Sequence, residues 1–339
     1  MKKVLVFIPI LIIAVVVIGA ILKGNKPAEN LTEENGVKKE DKVFQKIKGV
    51  SLSPRSFTSE DFTDFFEKAK EAGNIVSWAG DWNELSNTQG GGPTVVATLS
   101  SQYKYIPVIE TQFFTQSTGK LLRPLDANTK ENYRKLAVDF AQKFKPKYLG
   151  FGIEINTLYE KSPADFEKFT EFYNEVYDAV KAVSPNTKLF TIFQLEKMKG
   201  LSGGLFGNVN DPLKSQWSLP QKFKSDLIAF TTYPDLIYKN PSEIPQNYYK
   251  EINAFVSKPI AFTEIGWHSA ASPTGWESGE AEQAEFVKVF FDLTKELKPE
   301  FFIWSFLYDQ DAIRPFNSMG FFNNEGKAKL AWNEWISLK

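Results

Sequence analysis

Short, continuous hydrophobic runs recur along the chain from residue 43 onward. Runs of this kind, bounded by polar residues or Pro, are typical of parallel strands that are buried on both faces. They predict eight strands, at residues 47–52, 75–78, 105–110, 147–156, 189–194, 227–232, 260–264 and 301–306.

Segments with apolar residues at helical spacing separate these runs. The first segment begins with an N-cap pattern at Thr58 and stops at Gly73. Residues 197–224 are Gly-rich and lack a regular period, so no helix is predicted there. Further helices are predicted at residues 93–101, 133–144, 163–180, 241–255, 279–298 and 327–336.

The alternation of strand and helix predicts the fold class. Eight strand–helix units in one α/β domain of this size indicate a (β/α)8 TIM barrel. A doubly wound open sheet is the alternative. That fold needs a Gly-rich phosphate loop after its first strand, and none follows residues 47–52. We therefore expect a single barrel domain over residues 43–339.

The N-terminal residues predict a location outside the cytoplasm. Residues 4–22 carry no charge, and this stretch is long enough to span a bilayer. Lys2 and Lys3, which precede it, favour a cytoplasmic N-terminus. A cleaved signal peptide is the alternative, because residues 18–20 could form a poor cleavage site. We expect a transmembrane anchor or signal segment over residues 1–23 and a flexible polar linker over 24–42. The domain would then be extracytoplasmic, either anchored to the cell membrane or secreted.

The composition argues against several classes of function. The formal net charge of -1 disfavours a nucleic-acid binder. The chain has no Cys and one His, His268, so neither a thiolate nor a His-rich metal centre is expected. Asp309, Asp311 and residues 208–211 could supply oxygens to Ca²⁺, but solvated loops are the favoured interpretation. We expect a monomer without metal or cofactor.

Two predicted strands each deliver one carboxylate, Glu154 and Glu264. Burying an ionised Glu costs several kcal/mol, so each carboxylate should lie at the end of its strand, in a cleft. In a TIM barrel the carboxyl ends of all strands open onto one face, where the active site lies. The same face should receive Ser51, Trp78, Asp81, Glu110, Gln194, Tyr233 and Trp304.

These residues resemble the large clan of retaining (β/α)8 glycoside hydrolases, which carry one Glu after the fourth strand and one on the seventh. Phe151-Gly-Ile-Glu-Ile-Asn156 is similar to a segment of the arabinogalactan endo-β-1,4-galactanases, and Phe262-Thr-Glu-Ile-Gly-Trp267 to the clan's nucleophile strand. Thr232-Tyr233-Pro234 and residues 319–327 extend the resemblance over the whole domain.

The resemblance implies a glycosidase that cleaves a β-linked polysaccharide or oligosaccharide with retention. Glu264 would be the nucleophile and Glu154 the acid/base, with carboxyls about 5–5.5 Å apart and a raised pKa for Glu154. Tyr233 would contact the nucleophile, and Trp304 would form the base of the sugar subsite next to the scissile bond. The full set of expected substrate-binding residues is Tyr233, Trp304, Asn156, Trp267, Glu110, Trp78, Asp81 and Gln194.

The sequence departs from the clan at one position beside the acid/base. The clan usually has Asn directly before that Glu, where it contacts the sugar 2-hydroxyl, whereas this chain has Ile153. The clan's Arg on the second strand is also not evident, unless Arg55 compensates. A second hypothesis is therefore a membrane-anchored, glycan-binding barrel that has lost turnover. A metal-dependent hydrolase is disfavoured because His ligands are lacking.

Overall fold

The computed structural model describes residues 47–270 and 275–338. The predicted anchor or signal segment and the predicted linker lie outside these ranges. Within them, no helix is both long and apolar enough to cross a membrane.

All eight predicted strands are present, and they form one parallel sheet. The fifth strand is interrupted at Thr191, so the sheet has nine segments. The strands are β1 Lys48–Ser51, β2 Ile75–Asp81, β3 Ile106–Gln112, β4 Tyr148–Phe151, β5 Lys188–Phe190 with Ile192–Gln194, β6 Ile228–Thr232, β7 Ile260–Ile265 and β8 Phe302–Trp304.

The two segments of β5 lie at the two ends of the sheet order. Lys188–Phe190 pairs with β4, and Ile192–Gln194 pairs with β6. Because only Thr191 separates the segments, the sheet returns to the same stretch of chain and forms a nearly closed barrel. The prediction of an α/β barrel is confirmed, and the open-sheet alternative is wrong.

The helices largely match the predicted amphipathic segments. In α1 the Thr58 side chain caps the first turn by accepting from the backbone N–H of Asp61. The predicted helix over 241–255 is wrong in extent: the structure has a short 3₁₀ turn at Pro241–Glu243 and only α7 beyond it. The helices are α1 Ser59–Ala72, α2 Gly92–Tyr103, α3 Ala127–Phe144, α4 Ile155–Lys161, α5 Pro163–Val183, α6 Leu195–Met198, α7 Ile252–Phe255, α8 Glu280–Thr294 and α9 Leu330–Ser337.

Alternation along the strands separates two apolar layers. Side chains that point into the barrel form a small core that includes Val108, Ile192 and Ala261. Side chains of the opposite phase pack against the surrounding helices in a much larger core that includes Phe262 and Trp304. Because successive residues of a strand face opposite sides, the phase of each strand decides which side chains can reach the barrel mouth.

Polar contacts close the N-terminal end of the barrel. The Tyr148 hydroxyl donates to Glu300 Oε2 at 2.9 Å, and Lys188 forms an ion pair with the other carboxyl oxygen of Glu300. The Lys48 ammonium donates to the backbone carbonyls of Trp335 and Leu338. These contacts fix the start of the strands and the C-terminal helix to one another.

Candidate active site

Glu154 lies in a tight turn after β4. The predicted strand over 147–156 is too long: β4 ends at Phe151, and α4 begins at Ile155. Between them the backbone is left-handed at Gly152 (φ 83°) and at Glu154 (φ 53°). A Cβ at residue 152 would also lie 3.0 Å from the Phe169 ring, so Gly suits this position.

The left-handed conformation of Glu154 is held by its neighbours. Such a conformation costs a non-Gly residue about 1–2 kcal/mol, and it persists where the surroundings determine it. The Gln112 amide donates to the backbone carbonyl of Ile153 at 2.8 Å, and the backbone N–H of Thr157 donates to the carbonyl of Glu154. Backbone strain of this kind is typical of functional sites.

The Glu154 side chain is buried in the barrel mouth. The Thr231 hydroxyl on β6 donates to Glu154 Oε1 at 2.8 Å. Burial and the nearby charge of Glu264 raise the pKa of Glu154 to about 8, although Thr231 and the Lys197 charge act in the opposite direction. Glu154 is therefore protonated at neutral pH and can donate a proton.

Glu264 reaches the same mouth from β7. The pairing of β7 with β6 shifts between Phe262 and Glu264, which leaves Thr263 as the extra residue of a bulge. Bulges at barrel rims re-aim side chains. The Tyr233 hydroxyl donates to Glu264 Oε2 at 2.5 Å, as the resemblance implied. Burial raises the pKa of Glu264 to about 7, and the Tyr233 hydrogen bond counteracts this.

Tyr233 is itself held on both sides. Its hydroxyl lies 2.8 Å from Ser305 Oγ, and its backbone N–H donates to Glu196 Oε1 at 3.1 Å. A Cβ at residue 266 would lie 2.7 Å from the Tyr233 ring, so Gly266 permits this approach. Sequence reasoning missed Glu196, which lies in α6 and joins the site only through the fold.

Two of the predicted substrate-binding residues carry polar side chains at the barrel interior. Glu110 is buried on β3, and Gln194 is fully buried on β5. Asn156 instead ties α4 to β5: its amide donates to the Gln194 carbonyl at 3.0 Å and accepts from the Gln194 N–H at 2.9 Å. It also donates to Gln216 Oε1, so its polar atoms are occupied by protein contacts.

The three predicted Trp residues do not reach the mouth. Trp78, Trp267 and Trp304 all belong to the core between the strands and the helices, with exposures of 3%, 0% and 0%. Trp304 packs on Phe321, with ring centroids 4.7 Å apart. Trp78 and Trp304 have the outward strand phase, and Trp267, beyond the end of β7, packs on Phe286. Their burial in this core corrects the expectation that they stack on sugar.

Asp81 lies at the end of β2 and forms a bidentate pair with Arg123, with N–O distances of 2.8 and 2.7 Å. Sequence reasoning missed Arg123, which follows a small hairpin after β3. Arg55, the suggested substitute for the clan's Arg, binds Asp61 at 2.8 Å and faces the Tyr308 ring. Arg55 therefore serves the loop after β1.

Two of the residues considered for Ca²⁺, Asp309 and Asp211, are engaged elsewhere. Lys329 forms an ion pair with Asp309 Oδ1 at 2.6 Å, and Asp211 accepts from the backbone N–H of Leu213. His268 is buried and lies 2.8 Å from Asp235, so it links two loops. Over residues 47–270 and 275–338, no group of three acidic or His side chains is arranged to hold a metal ion.

Ile153 points into the apolar interior of the barrel, below the mouth. It is fully buried with Tyr148, Phe190 and Ile192. The residue that replaces the clan's Asn is thus a packing residue, and it presents no polar atom to the site.

The fold is shared with solved glycoside hydrolase structures, although no protein-family model and no curated protein sequence matches the chain. The exo-β-1,4-mannosidase Op5Man5 from Opitutaceae bacterium strain TAV5 gives a TM-score of 0.63 at 14% identity, covering 86% of this chain and 59% of that chain. A family 39 glycoside hydrolase from Bacteroides cellulosilyticus WH2 gives 0.57 at 14%, covering 86% and 62%. The Ignisphaera aggregans GH53 catalytic domain gives 0.57 at 15%, covering 85% and 95%.

These likenesses define the class of fold: a glycosidase-like barrel. The chain spans about three fifths of the length of the mannosidase and of the family 39 enzyme. At 14% to 15% identity, the shared feature is the fold.

Proposed function

We propose that the chain is a retaining glycosidase that cleaves β-linked polysaccharides or oligosaccharides, with Glu264 as nucleophile and Glu154 as acid/base. One observation carries this proposal: two carboxyls meet at the C-terminal mouth of the barrel, with the pKa of Glu154 raised to about 8 and that of Glu264 to about 7. Two carboxyls in one cleft are the pair that a retaining glycosidase needs, and the resemblance assigns the acid/base role to Glu154 and the nucleophile role to Glu264.

In the first step, the Glu264 carboxylate attacks the anomeric carbon. The bond to the leaving oxygen breaks, and Glu154 transfers its proton to that oxygen. Tyr233 suits this step because its hydroxyl holds one Glu264 oxygen and leaves the other to react. A covalent glycosyl–enzyme ester and an ionised Glu154 result.

In the second step, water hydrolyses the ester. The water oxygen attacks the anomeric carbon while ionised Glu154 takes a proton from the water, and the bond from the anomeric carbon to Glu264 breaks to release the carboxylate. Thr231 stabilises the charge on Glu154 between the steps by its hydrogen bond to Oε1. Two inversions give net retention.

We also propose an extracytoplasmic location, with the protein anchored in the membrane by its N-terminal segment or secreted, and a monomer that acts on carbohydrate alone. The support for the location is the uncharged stretch over residues 4–22.

The test is a screen of 2,4-dinitrophenyl β-glycosides and β-linked oligosaccharides, with the product anomer read by proton NMR. We expect one sugar class to be hydrolysed with initial release of the β-anomer. Glu264→Gln should lower kcat by about 10³-fold or more, because loss of a nucleophile removes the covalent route. Release of the α-anomer, or full activity of Glu264→Gln, would overturn the proposal.

The second candidate, a glycan-binding barrel without turnover, is favoured by one observation. Ile153 is buried in the barrel interior and offers no hydrogen bond to a sugar 2-hydroxyl. Such hydrogen bonds supply several kcal/mol in the transition state. A glycan array separates the candidates: binding without hydrolysis of any bound glycan would support this one.

A further inference from the structure

Four side chains from alternate strands form one layer inside the C-terminal end of the barrel. On three of these strands, the residue two positions earlier belongs to the apolar barrel interior, namely Val108, Ile192 and Ala261. Alternation therefore directs Glu110 and Gln194 inward as well, and Thr263, the bulge residue of β7, lies beside the Glu110 side chain. This polar layer comprises Ser51 on β1, Glu110 on β3, Gln194 on β5 and Thr263 on β7.

The polar layer is costly for stability. Each member has a buried polar atom with no hydrogen-bond partner among the residues that the structure describes. A buried atom of this kind has lost its hydrogen bonds to water without replacement, and bulky branched residues normally fill such layers. A purely structural interior would avoid this arrangement, so the layer calls for a functional explanation.

Glu110 is the one titratable member of the polar layer, and Glu264 is its electrostatic neighbour. Glu110 is 1% exposed, and its Oε2 has no partner among the described side chains. Burial raises the pKa of Glu110 well above its usual range, and the charge of Glu264 raises it further. The Thr263 hydroxyl lies beside Glu110 and opposes this shift, but it does not meet hydrogen-bond geometry.

The other titratable groups at this end of the barrel act elsewhere. Glu154, after β4, accepts from Thr231. Asp81, on β2, is paired with Arg123. Tyr233, after β6, donates to Glu264. Glu264 is thus the group whose charge acts on Glu110.

Ionised Glu264 therefore disfavours the ionisation of Glu110 in the low-dielectric interior. Two adjacent carboxylates do not both ionise readily there. Glu264 is partly exposed and receives the Tyr233 hydrogen bond, whereas Glu110 has neither advantage. The proton is consequently retained by Glu110, and Glu264 is the one that ionises.

We propose that Glu110 is a positioning residue for the nucleophile: a carboxylic acid that stays neutral in the working enzyme and presents its proton to the Glu264 side of the polar layer. Its proton is not transferred during turnover. The proton stabilises the ionised form of Glu264. Because Glu110 is neutral, Glu264 has no negative charge beside it at this position. This inference rests on the proposed role of Glu264.

The test compares Glu110→Gln with Glu110→Leu. Gln is neutral and retains a hydrogen-bond donor, its N–H. The pKa of Glu264, and with it the acidic limb of the kcat–pH profile, should therefore stay unchanged. Leu removes the donor, so the limb should move up by roughly one to two pH units, with KM unchanged. The melting temperature of Glu110→Leu should not fall, because an unpaired buried polar group is removed; Glu110→Met serves if Leu does not fold.

Two results would overturn the inference. A downward shift of the acidic limb in Glu110→Gln would mean that the working enzyme carries an ionised Glu110. An unshifted limb in both Glu110→Leu and Glu110→Met would mean that Glu110 does not act on the nucleophile.

A spectroscopic readout separates this inference from the proposed function. The infrared difference spectrum of wild type minus Glu110→Gln at neutral pH should contain the C=O stretch of a protonated carboxylic acid. This band needs no substrate, so it tests the charge state of Glu110 even if no glycoside is hydrolysed. A carboxylate band in its place would contradict the inference.

Discussion

Both ends of the barrel carry buried or partly buried glutamates, but the contacts of these glutamates differ between the two ends. At the N-terminal end, Glu300 receives the Tyr148 hydroxyl and the Lys188 ammonium, so both of its oxygens are engaged. At the C-terminal mouth, Glu154 and Glu264 each accept a hydrogen bond from a hydroxyl group, and none of Glu110, Glu154 and Glu264 has a cation in hydrogen-bond contact within the described ranges. The carboxyl at the N-terminal end is paired with a cation, whereas the three carboxyls at the mouth have raised pKa values, which is the pattern expected of functional groups.

The largest effect that sharpens this contrast is expected for Glu154→Gln. A neutral amide cannot protonate the leaving oxygen, so hydrolysis of natural glycosides should fall by about 10²- to 10⁴-fold. Dinitrophenyl glycosides need little protonation, so their first step should be nearly unaffected. Values of kcat/KM, which report the first step, measure this on substrates of graded leaving-group pKa, and an equal loss of kcat/KM across the series would argue against an acid role.

The next effect is expected for Tyr233→Phe. The change removes the hydrogen bond to Glu264 Oε2, so the pKa of Glu264 should rise and the acidic limb of the kcat–pH profile should move to higher pH. We expect a roughly 10- to 100-fold fall in kcat below neutral pH.

Tyr248→Phe is the matched control for that variant. Tyr248 is an equally buried Tyr whose hydroxyl donates to a glutamate, Glu196, on the outer side of the sheet. Its loss should lower stability without moving the limb. An equal shift in both variants would show that Tyr233 acts through packing alone.

Folding stability should fall as pH rises from about 5 to 8. The pKa values of Glu154, Glu196 and Glu264 are raised from 4.5 to about 8, 7 and 7. The folded state therefore binds more protons than the unfolded state in this window, and stability present below pH 4.5 is lost up to about pH 8. Each proton contributes a slope of about 1.4 kcal/mol per pH unit between its two pKa values.

Urea unfolding at several pH values measures this slope. Glu154→Gln should flatten it, because the substituted side chain does not titrate. Stability that rises with pH over the same window would contradict the account of the mouth.

The fold was predictable from the sequence because the eight apolar runs are continuous and well separated. The two glutamates were predictable because each ends such a run. Trp78 and Trp304 were wrongly expected at the mouth, because the sequence did not show which face of its strand each side chain lies on. The spacing held a signal: Trp78 and Asp81 are three residues apart, so a regular strand directs them to opposite faces.

Other features of the site depend on contacts that no local pattern encodes. The turn at Glu154 replaces the end of the predicted strand, and the bulge at Thr263 changes the phase of β7. Glu196 accepts from the Tyr233 backbone N–H, and Arg123 pairs with Asp81, from helical and hairpin segments whose positions depend on the closed barrel.

The smallest effect is expected at the opposite end of the barrel. Glu300→Gln breaks a partly exposed pair, so unfolding free energy should fall by about 1 kcal/mol while kcat and its pH dependence stay unchanged. Urea unfolding and steady-state kinetics on the same sample test this. A lower kcat in Glu300→Gln would contradict the account that Glu300 contributes to stability and not to activity.

Azide rescue tests the roles of Glu154 and Glu264 most directly. With a 2,4-dinitrophenyl β-glycoside, Glu264→Ala should be reactivated by azide and yield the α-glycosyl azide, because azide attacks where the nucleophile was. Glu154→Ala should yield the β-glycosyl azide, because azide then attacks the intermediate on Glu264. The same anomer from both variants, or an α-product from Glu154→Ala, would contradict the assignment.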